Sequence, residues 1–503
     1  MMQARQDILY HRIVVILLGI FALLAVRINV GWYGHHDENG RWISTAIRNY
    51  ALYGADELGY LITTTPGPAN PATLRYYVNH PPLIVWTAWL SSEIFGYYES
   101  GMPYPDAWPK EISVRLVSIF ATMISLSAFY VLCRRLLNPH LALLALIFYG
   151  FTPMIAYFGR MPNHEPLALP FIYLFITVFI NWIRRFTIRR SIILAVLAVS
   201  AMWIAWASAF FFATLGLVAL IYGKKKHRIA IIGVGIITLL STVAIPLFYD
   251  IQRPGAITDL LNAFVFRTSN RTLGRGSASF TIRQFIVQLF VHMVSAMTLA
   301  VVVFGTWGLT IAIRRKKSLT RAVIIALLGA PTGYMLVFRN AFYVHDYYKI
   351  FYMPIFIIGT VLAVHQLWLA SRRGLGRFAR PLVVAILVWS SVLGIIWFVI
   401  LHQVAKVPDF QEISAILPNY SQETDIILTN LADVHPSIDY YTYRTLVYGI
   451  APQDAILQAE TDTRSIKYLY CAINDDDRAV LDELLGQFPS EMITDECRLL
   501  VMN

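Results

Sequence analysis

The sequence predicts an α-helical polytopic membrane protein of about eleven transmembrane helices with a small α/β domain at its C-terminus. Three observations carry that prediction. Of 503 residues, 57% are hydrophobic and only 14% charged, with a mean hydropathy of +0.57, well outside the range of soluble domains. Apolar runs long enough to cross a hydrocarbon core recur from residue 12 to residue 401. After His402 the composition becomes that of a soluble domain. The formal charge of +11 comes from Lys and Arg in short clusters beside apolar runs, the mark of cytoplasmic membrane loops. They draw no extended basic stripe, which excludes nucleic acid as a partner.

The first span is residues 12–30, and Arg5 and Arg12 set its start in the cytoplasm, so loop 31–82 faces outward. A small-residue cleavage pattern does not precede the loop, and the run is read as an uncleaved helix. Residues 83–95 are apolar but short for a crossing; a re-entrant or interfacial piece is expected, with a true crossing as the alternative. Span 112–132 ends inside at Arg134-Arg135, and span 141–158 returns outward to Arg160 and Glu165-Pro166. Span 167–183 leads back to Arg184-Arg185 and Arg189-Arg190. A second inside cluster, Lys224 to Arg228, follows 191–223, so that stretch must be a tight helical pair turning near Trp206 to Ser208.

Residues 229–248 exit to loop 249–283, whose Arg253, Arg267, Arg271, Arg275 and Arg283 break the inside rule. Span 285–313 returns to Arg314-Arg315-Lys316-Lys317, and 322–337 leaves again. Two further spans, 350–370 and 381–401, flank Arg372-Arg373 and Arg377. The domains are thus a membrane domain, 1–402, and an extracytoplasmic α/β domain, 403–503. In the latter, 425–429, 467–473 and 497–502 read as strands and 476–488 as an amphipathic helix. Cys471 and Cys497 fall on candidate strands; a disulfide and two buried thiols are both open readings.

Asp37-Glu38 follow the first span closely, where a carboxylate can serve as general base toward an acceptor whose donor is held in the membrane. A helix cap or solvated turn is the bland alternative. Glu165 precedes Pro166 at a helix start, where the dipole favours the ionised form. Interfacial anchoring explains the tyrosines between Tyr343 and Lys349 but not His345, Asp346 and Lys349 among them. With the outer arginines, that set has the chemistry to grip a phosphate. His35, His36, His80 and His164 also face outward, yet without zinc spacing such as H-E-x-x-H, so no metal ligands are assigned. P-loop, dinucleotide and nucleophile-elbow motifs are missing from the sequence.

Asp37-Glu38 in the first loop, then His80-Pro81-Pro82-Leu83, then Arg115-Leu116 opening a helix that ends in Arg134-Arg135, then Arg160-x-x-x-x-Glu165, resemble the GT-C glycosyltransferases. The pattern is most similar to bacterial relatives of dolichyl-phosphate-mannose protein mannosyltransferases and of lipid A aminoarabinose transferases. The resemblance implies a GT-C-like fold in the plasma (cell inner) membrane, and transfer of a sugar from a polyprenyl-phosphate-linked donor to an unidentified extracytoplasmic acceptor. It maps the family's acids onto Asp37, with Glu38 beside it, as general base, and onto Glu165, where many relatives carry Asp. Relatives often have Lys-Gly at the turn of the helical pair, where Trp206-Ala207-Ser208 stands here. Arg267, Arg271, Arg275, His345, Tyr347 and Lys349 are then the expected phosphate ligands, and His36, His80, Arg160 and His164 the expected positioning residues. A lipid-phosphate leaving group needs cations and no strong acid, which leaves room for a divalent cation without requiring a cofactor. The competing class, a transporter or flippase of lipid-linked sugars, calls for ionisable groups at the membrane midplane, whereas here the polar residues gather at one face.

Overall fold

The computed structural model describes residues 2–68, 74–98, 108–271, 279–315, 318–370, 410–431, 437–461, 464–472 and 474–502, with scattered positions between 381 and 396. Most of the span expected at 381–401 lies outside the described residues, as do Arg275, Lys316, Lys317, Arg372, Arg373 and Arg377. The chain divides into two compact units. One comprises residues 1–28, 78–86 and 115–398, and the other 29–77, 87–114 and 399–503.

The first unit is all helix. Its elements are α1 (Met2–Ala25), α4 (Glu111–Leu136), α5 (Pro139–Gly150), α6 (Pro153–Phe158), α7 (His164–Arg184), α8 (Ile188–Met202) and α9 (Ser208–Tyr222). After these come α10 (Lys225–Gln252), α11 (Ala256–Thr268), α12 (Ile282–Met297), α13 (Leu299–Arg315), α14 (Ser318–Val337), α15 (Arg339–Val344) and α16 (Met353–Ala370). Helix α2 (Glu38–Tyr53) belongs to the second unit, and α3 (Leu83–Phe95) has residues in each. Among the described residues α4, α7, α10 and residues 319–337 of α14 are long and apolar enough to cross a membrane. A fifth crossing exists if α12 and α13 form one span. Apolar side chains lie on the outside of the unit, as on α10, where Ile229, Ile236, Leu240 and Ile251 are all exposed. Such a surface belongs in lipid, where backbone groups are satisfied within each helix.

Local chemistry sharpens several of the expectations. The stretch 191–223 is the expected helical pair, α8 and α9, turning at residues 203–207. The expected span 141–158 is instead broken into α5 and α6. Pro153 has no N–H to continue the first helix, and the Thr152 hydroxyl caps the second by accepting from the Ile155 amide. The single span expected at 285–313 is bent by 101° between α12 and α13, at Thr298, whose φ of 74° is left-handed. Helix α3 has 13 residues, about 20 Å at 1.5 Å per residue and short of a full crossing. Close contact of α13 with α16 depends on glycine: a Cβ on Gly308 would overlap the Gly359 carbonyl oxygen.

The second unit joins loop residues 29–77 and 87–114 to the C-terminal segment. Its five-stranded sheet runs in the order β2 (Thr445–Tyr448), β1 (Ile426–Thr429), β3 (Ile466–Cys471), β5 (Cys497–Val501), β4 (Ser490–Met492). The pairs β1/β2 and β1/β3 are parallel, and β3/β5 and β4/β5 antiparallel. Ile426, Leu428, Tyr468 and Leu500 pack against Ala455 and Ala459 of helix Pro452–Thr461 and Leu481 and Leu484 of helix Asp475–Leu485. Cys471 and Cys497 face each other across β3 and β5 and form a disulfide. Cys133, in α4, is a buried free thiol.

Candidate functional site

The residues singled out from sequence gather into two groups, one in each unit. In the loop unit, Trp32 is fully buried and lies against Gly40, where a Cβ would overlap the indole. The chain then turns through His36, whose φ is 58°, into α2. Asp37 occupies the N-cap position of that helix without capping it. Its Oδ2 accepts instead from the Gly34 amide at 2.8 Å. The carboxylate is buried at the N-terminal end of α2. Glu38 is more exposed and meets His36 Nδ1 at 3.0 Å, and the His35 and His36 rings lie 4.1 Å apart. A carboxylate fixed in this way, with a second acid beside it, has the chemistry to orient a hydroxyl and accept its proton.

The other group surrounds a cavity of 440 Å³ in the helical unit. Segment 79–82 is held by the helical-pair turn and by α10. Trp206 Nε1 donates to the Asn79 carbonyl at 2.9 Å and Tyr249 to the His80 carbonyl at 2.7 Å, while the Leu83 amide donates to the Trp203 carbonyl at 3.2 Å. His80 stacks on His164 at 4.2 Å. Burial, and next the charge of Arg267, push the His80 imidazole down to about 3, so it is neutral at physiological pH. Arg267 reaches the lining from α11; its Nη1 lies 3.2 Å from Asn340 Oδ1 and 3.3 Å from His345 Nε2. Asn79, Tyr334 and Tyr348 also line the cavity, and Met202, Phe210, Pro246 and Phe264 belong to its mostly apolar lining.

Glu165 is buried at the start of α7, with Oε2 lacking a hydrogen-bond partner among the described residues. Its Oε2 is thus not spent on a hydrogen bond among the described residues, and Glu165 is not one of the residues that line the cavity.

Other sequence-predicted residues are placed differently. Arg160 donates to the carbonyls of Val26 and Arg27 just beyond α1, and Arg115 donates to that of Ile28 at 3.0 Å. Both therefore fasten the exit of the first helix. Lys349 Nζ donates to the carbonyls of Phe342 and His345, at 2.5 and 2.8 Å. Burial pushes its ammonium down to about 7 despite the opposing charge of Asp346. Tyr347 stacks on His345 at 5.0 Å. Arg271 is exposed and bridges to Ser279. Neither Lys349, Tyr347 nor Arg271 lines the cavity. Sequence reasoning passed over Tyr348 because interfacial anchoring accounts for the tyrosines between Tyr343 and Lys349, and over Tyr334 because it falls inside the expected span 322–337. Trp206 had a usable signal, its place where relatives carry Lys-Gly.

Comparisons with known proteins bear on the fold. Residues 79–249 match the family model described as dolichyl-phosphate-mannose-protein mannosyltransferase. No curated protein sequence gives a significant match. ArnT from Cupriavidus metallidurans bound to undecaprenyl phosphate is similar in structure, with a TM-score of 0.67, 12% identity and 98% of each chain covered. Its apo form gives a TM-score of 0.64 at 13% identity, covering 99% of this chain and 98% of that one. An oligosaccharyltransferase from Archaeoglobus fulgidus, in complex with zinc and sulfate, gives 0.50 at 12% identity, covering 91% of this chain and 68% of that one. The resemblance read from the sequence is borne out: this chain has the fold of the GT-C glycosyltransferases, and its residues 79–249 carry the mannosyltransferase pattern.

Proposed function

We propose that the protein is a membrane glycosyltransferase that moves a sugar from a polyprenyl-phosphate-linked donor to an acceptor on the outer face of the membrane. The observation that carries the reading is the lining of the cavity, where Arg267, His80, Asn79 and Tyr348 stand among mostly apolar side chains. A lipid phosphate has that shape and polarity, and an Arg fork suits a phosphate oxygen pair. The binding of undecaprenyl phosphate by the similarly folded ArnT supports the same class of donor.

In the proposed reaction an acceptor hydroxyl oxygen attacks the anomeric carbon. The bond from that carbon to the phosphate oxygen breaks, and the electron pair stays with the phosphate. Asp37 is assigned to take the hydroxyl proton, and a cation such as Arg267 has the charge to offset that gathering on a leaving phosphate. Glu165 is assigned to orienting the acceptor or sugar near that bond.

The test is transfer of radiolabelled sugar from a panel of synthetic polyprenyl-phosphate sugars to cell-envelope acceptors. Purified wild type is compared with Asp37→Asn and Glu165→Gln. Transfer that collapses in the variants while donor binding persists supports the reading. Donor binding without transfer under any condition, unaffected by either change, sinks it in favour of a carrier or flippase of lipid-linked sugars.

A further inference from the structure

Within the loop unit, one short helix of the C-terminal segment, Ser437–Thr442, grips the chain on both sides of Asp37. Ahead of it, the Tyr441 hydroxyl accepts from the Trp32 amide at 2.8 Å and donates to Glu111 Oε1 at 2.6 Å. The Tyr441 ring also stacks on Tyr33 at 5.1 Å. Behind it, Asp439 Oδ1 lies 3.5 Å from Arg41 Nη1, one helical turn past Asp37. Two turns further on, the fully buried Arg48 guanidinium stands over three aromatic faces, Trp108 at 4.5 Å, Tyr443 at 4.9 Å and Tyr440 at 5.5 Å. Cations over aromatic faces away from water are held firmly.

The helix is itself fixed to the sheet. Arg444 donates to the carbonyls of Thr442, Tyr443, Pro418 and Ser421 and to the Ser421 hydroxyl. Strand β2 begins at the next residue and pairs with β1. Generic burial would not require this polar, directional set at residues 32, 41 and 48. A displacement of about 1 Å at a reacting group costs about 100-fold in rate, so such fixing matters most for a base.

From this geometry we infer that Asp439 and Tyr441 are positioning residues for the Asp37 carboxylate, and that the C-terminal domain is part of the catalytic apparatus through them. The inference rests on the proposed role of Asp37 as base. Full-length Tyr441→Phe, Asp439→Asn, Asp439→Glu and Asp37→Asn proteins are assayed for transfer. Tyr441→Phe and Asp439→Asn are expected to lower kcat by about 10- to 100-fold, with donor KM within about twofold of wild type and melting temperatures still well above the assay temperature. Asp439→Glu restores most of the kcat. Wild-type kcat in both clamp variants beside a dead Asp37→Asn overturns this inference alone. So does a fall of kcat in step with melting temperature that Glu at 439 does not relieve. Full activity of Asp37→Asn overturns the base assignment itself. Should Tyr441→Phe fail to fold, the Asn and Glu pair at 439 decides the question.

Discussion

The imidazoles of His80 and His164 lie nearly parallel, 21° apart with centroids separated by 4.2 Å, which joins the segment before α3 to the start of α7 beside Glu165. His80 therefore meets a ligand in the cavity with its ring direction already set. Its protonation state is the variable that remains.

Donor binding is expected to take up a proton. His80 is neutral above about 3 in the free protein, and a phosphate beside it favours the charged form. Affinity for polyprenyl phosphate then rises as pH falls between about 3 and the higher pKa of the complex, by at most about tenfold per pH unit. Calorimetry in buffers of different ionisation enthalpy reads the uptake directly, and His80→Gln should abolish it.

Arg267→Ala should weaken the donor KM by about 10- to 100-fold, the loss of a charge-assisted hydrogen bond worth about 1.5–3 kcal/mol. Arg267→Lys keeps the charge without the fork and should fall between. Asn340→Ala, which removes only the 3.2 Å partner of Arg267, should have a smaller effect. Steady-state kinetics on a polyprenyl-phosphate sugar ranks the three.

Lys349 supplies a pH signature of stability. Its folded pKa of about 7 lies below the ordinary lysine value, so between about 7 and about 10.4 the unfolded state binds more protons. Stability must rise with pH across that window, and the burial penalty is fully present below about 7. Thermal melts from pH 6 to pH 10 should show this slope in wild type and lose its Lys349 component in Lys349→Met.

The disulfide between Cys471 and Cys497 closes a separation of 26 residues, worth about 3–4 kcal/mol in the loop-closure model. The Cys471→Ser, Cys497→Ser double variant should be cut by protease within residues 472–496 under conditions that spare wild type. Mass mapping of the fragments checks it.

Much of the helical plan is legible in the sequence because lipid demands long apolar runs and basic clusters label their ends. The bend at Thr298 is not, since one Thr in an apolar run carries no sign of a left-handed backbone. Strands β1, β3 and β5 are legible as apolar runs, whereas β4, the exposed three-residue strand Ser490–Met492, has no such pattern. In the site, His80 and Arg267 are recoverable from motif and misplaced charge. Charge alone does not reveal that Lys349 and Arg160 are spent on the chain's own carbonyls, because those carbonyls come from the ends of elements and not from side chains.

Trp32 and Tyr441, joined by one hydrogen bond, are 409 residues apart. At a synthesis rate of about 5–20 residues per second, the first loop waits for about 20–80 s before its partner leaves the ribosome. A nascent or truncated chain can insert its helices and still hold an unfinished loop unit. Maturation of the acid-bearing loop is thus tied to the synthesis of a segment 409 residues later, and quality control has one late event to inspect.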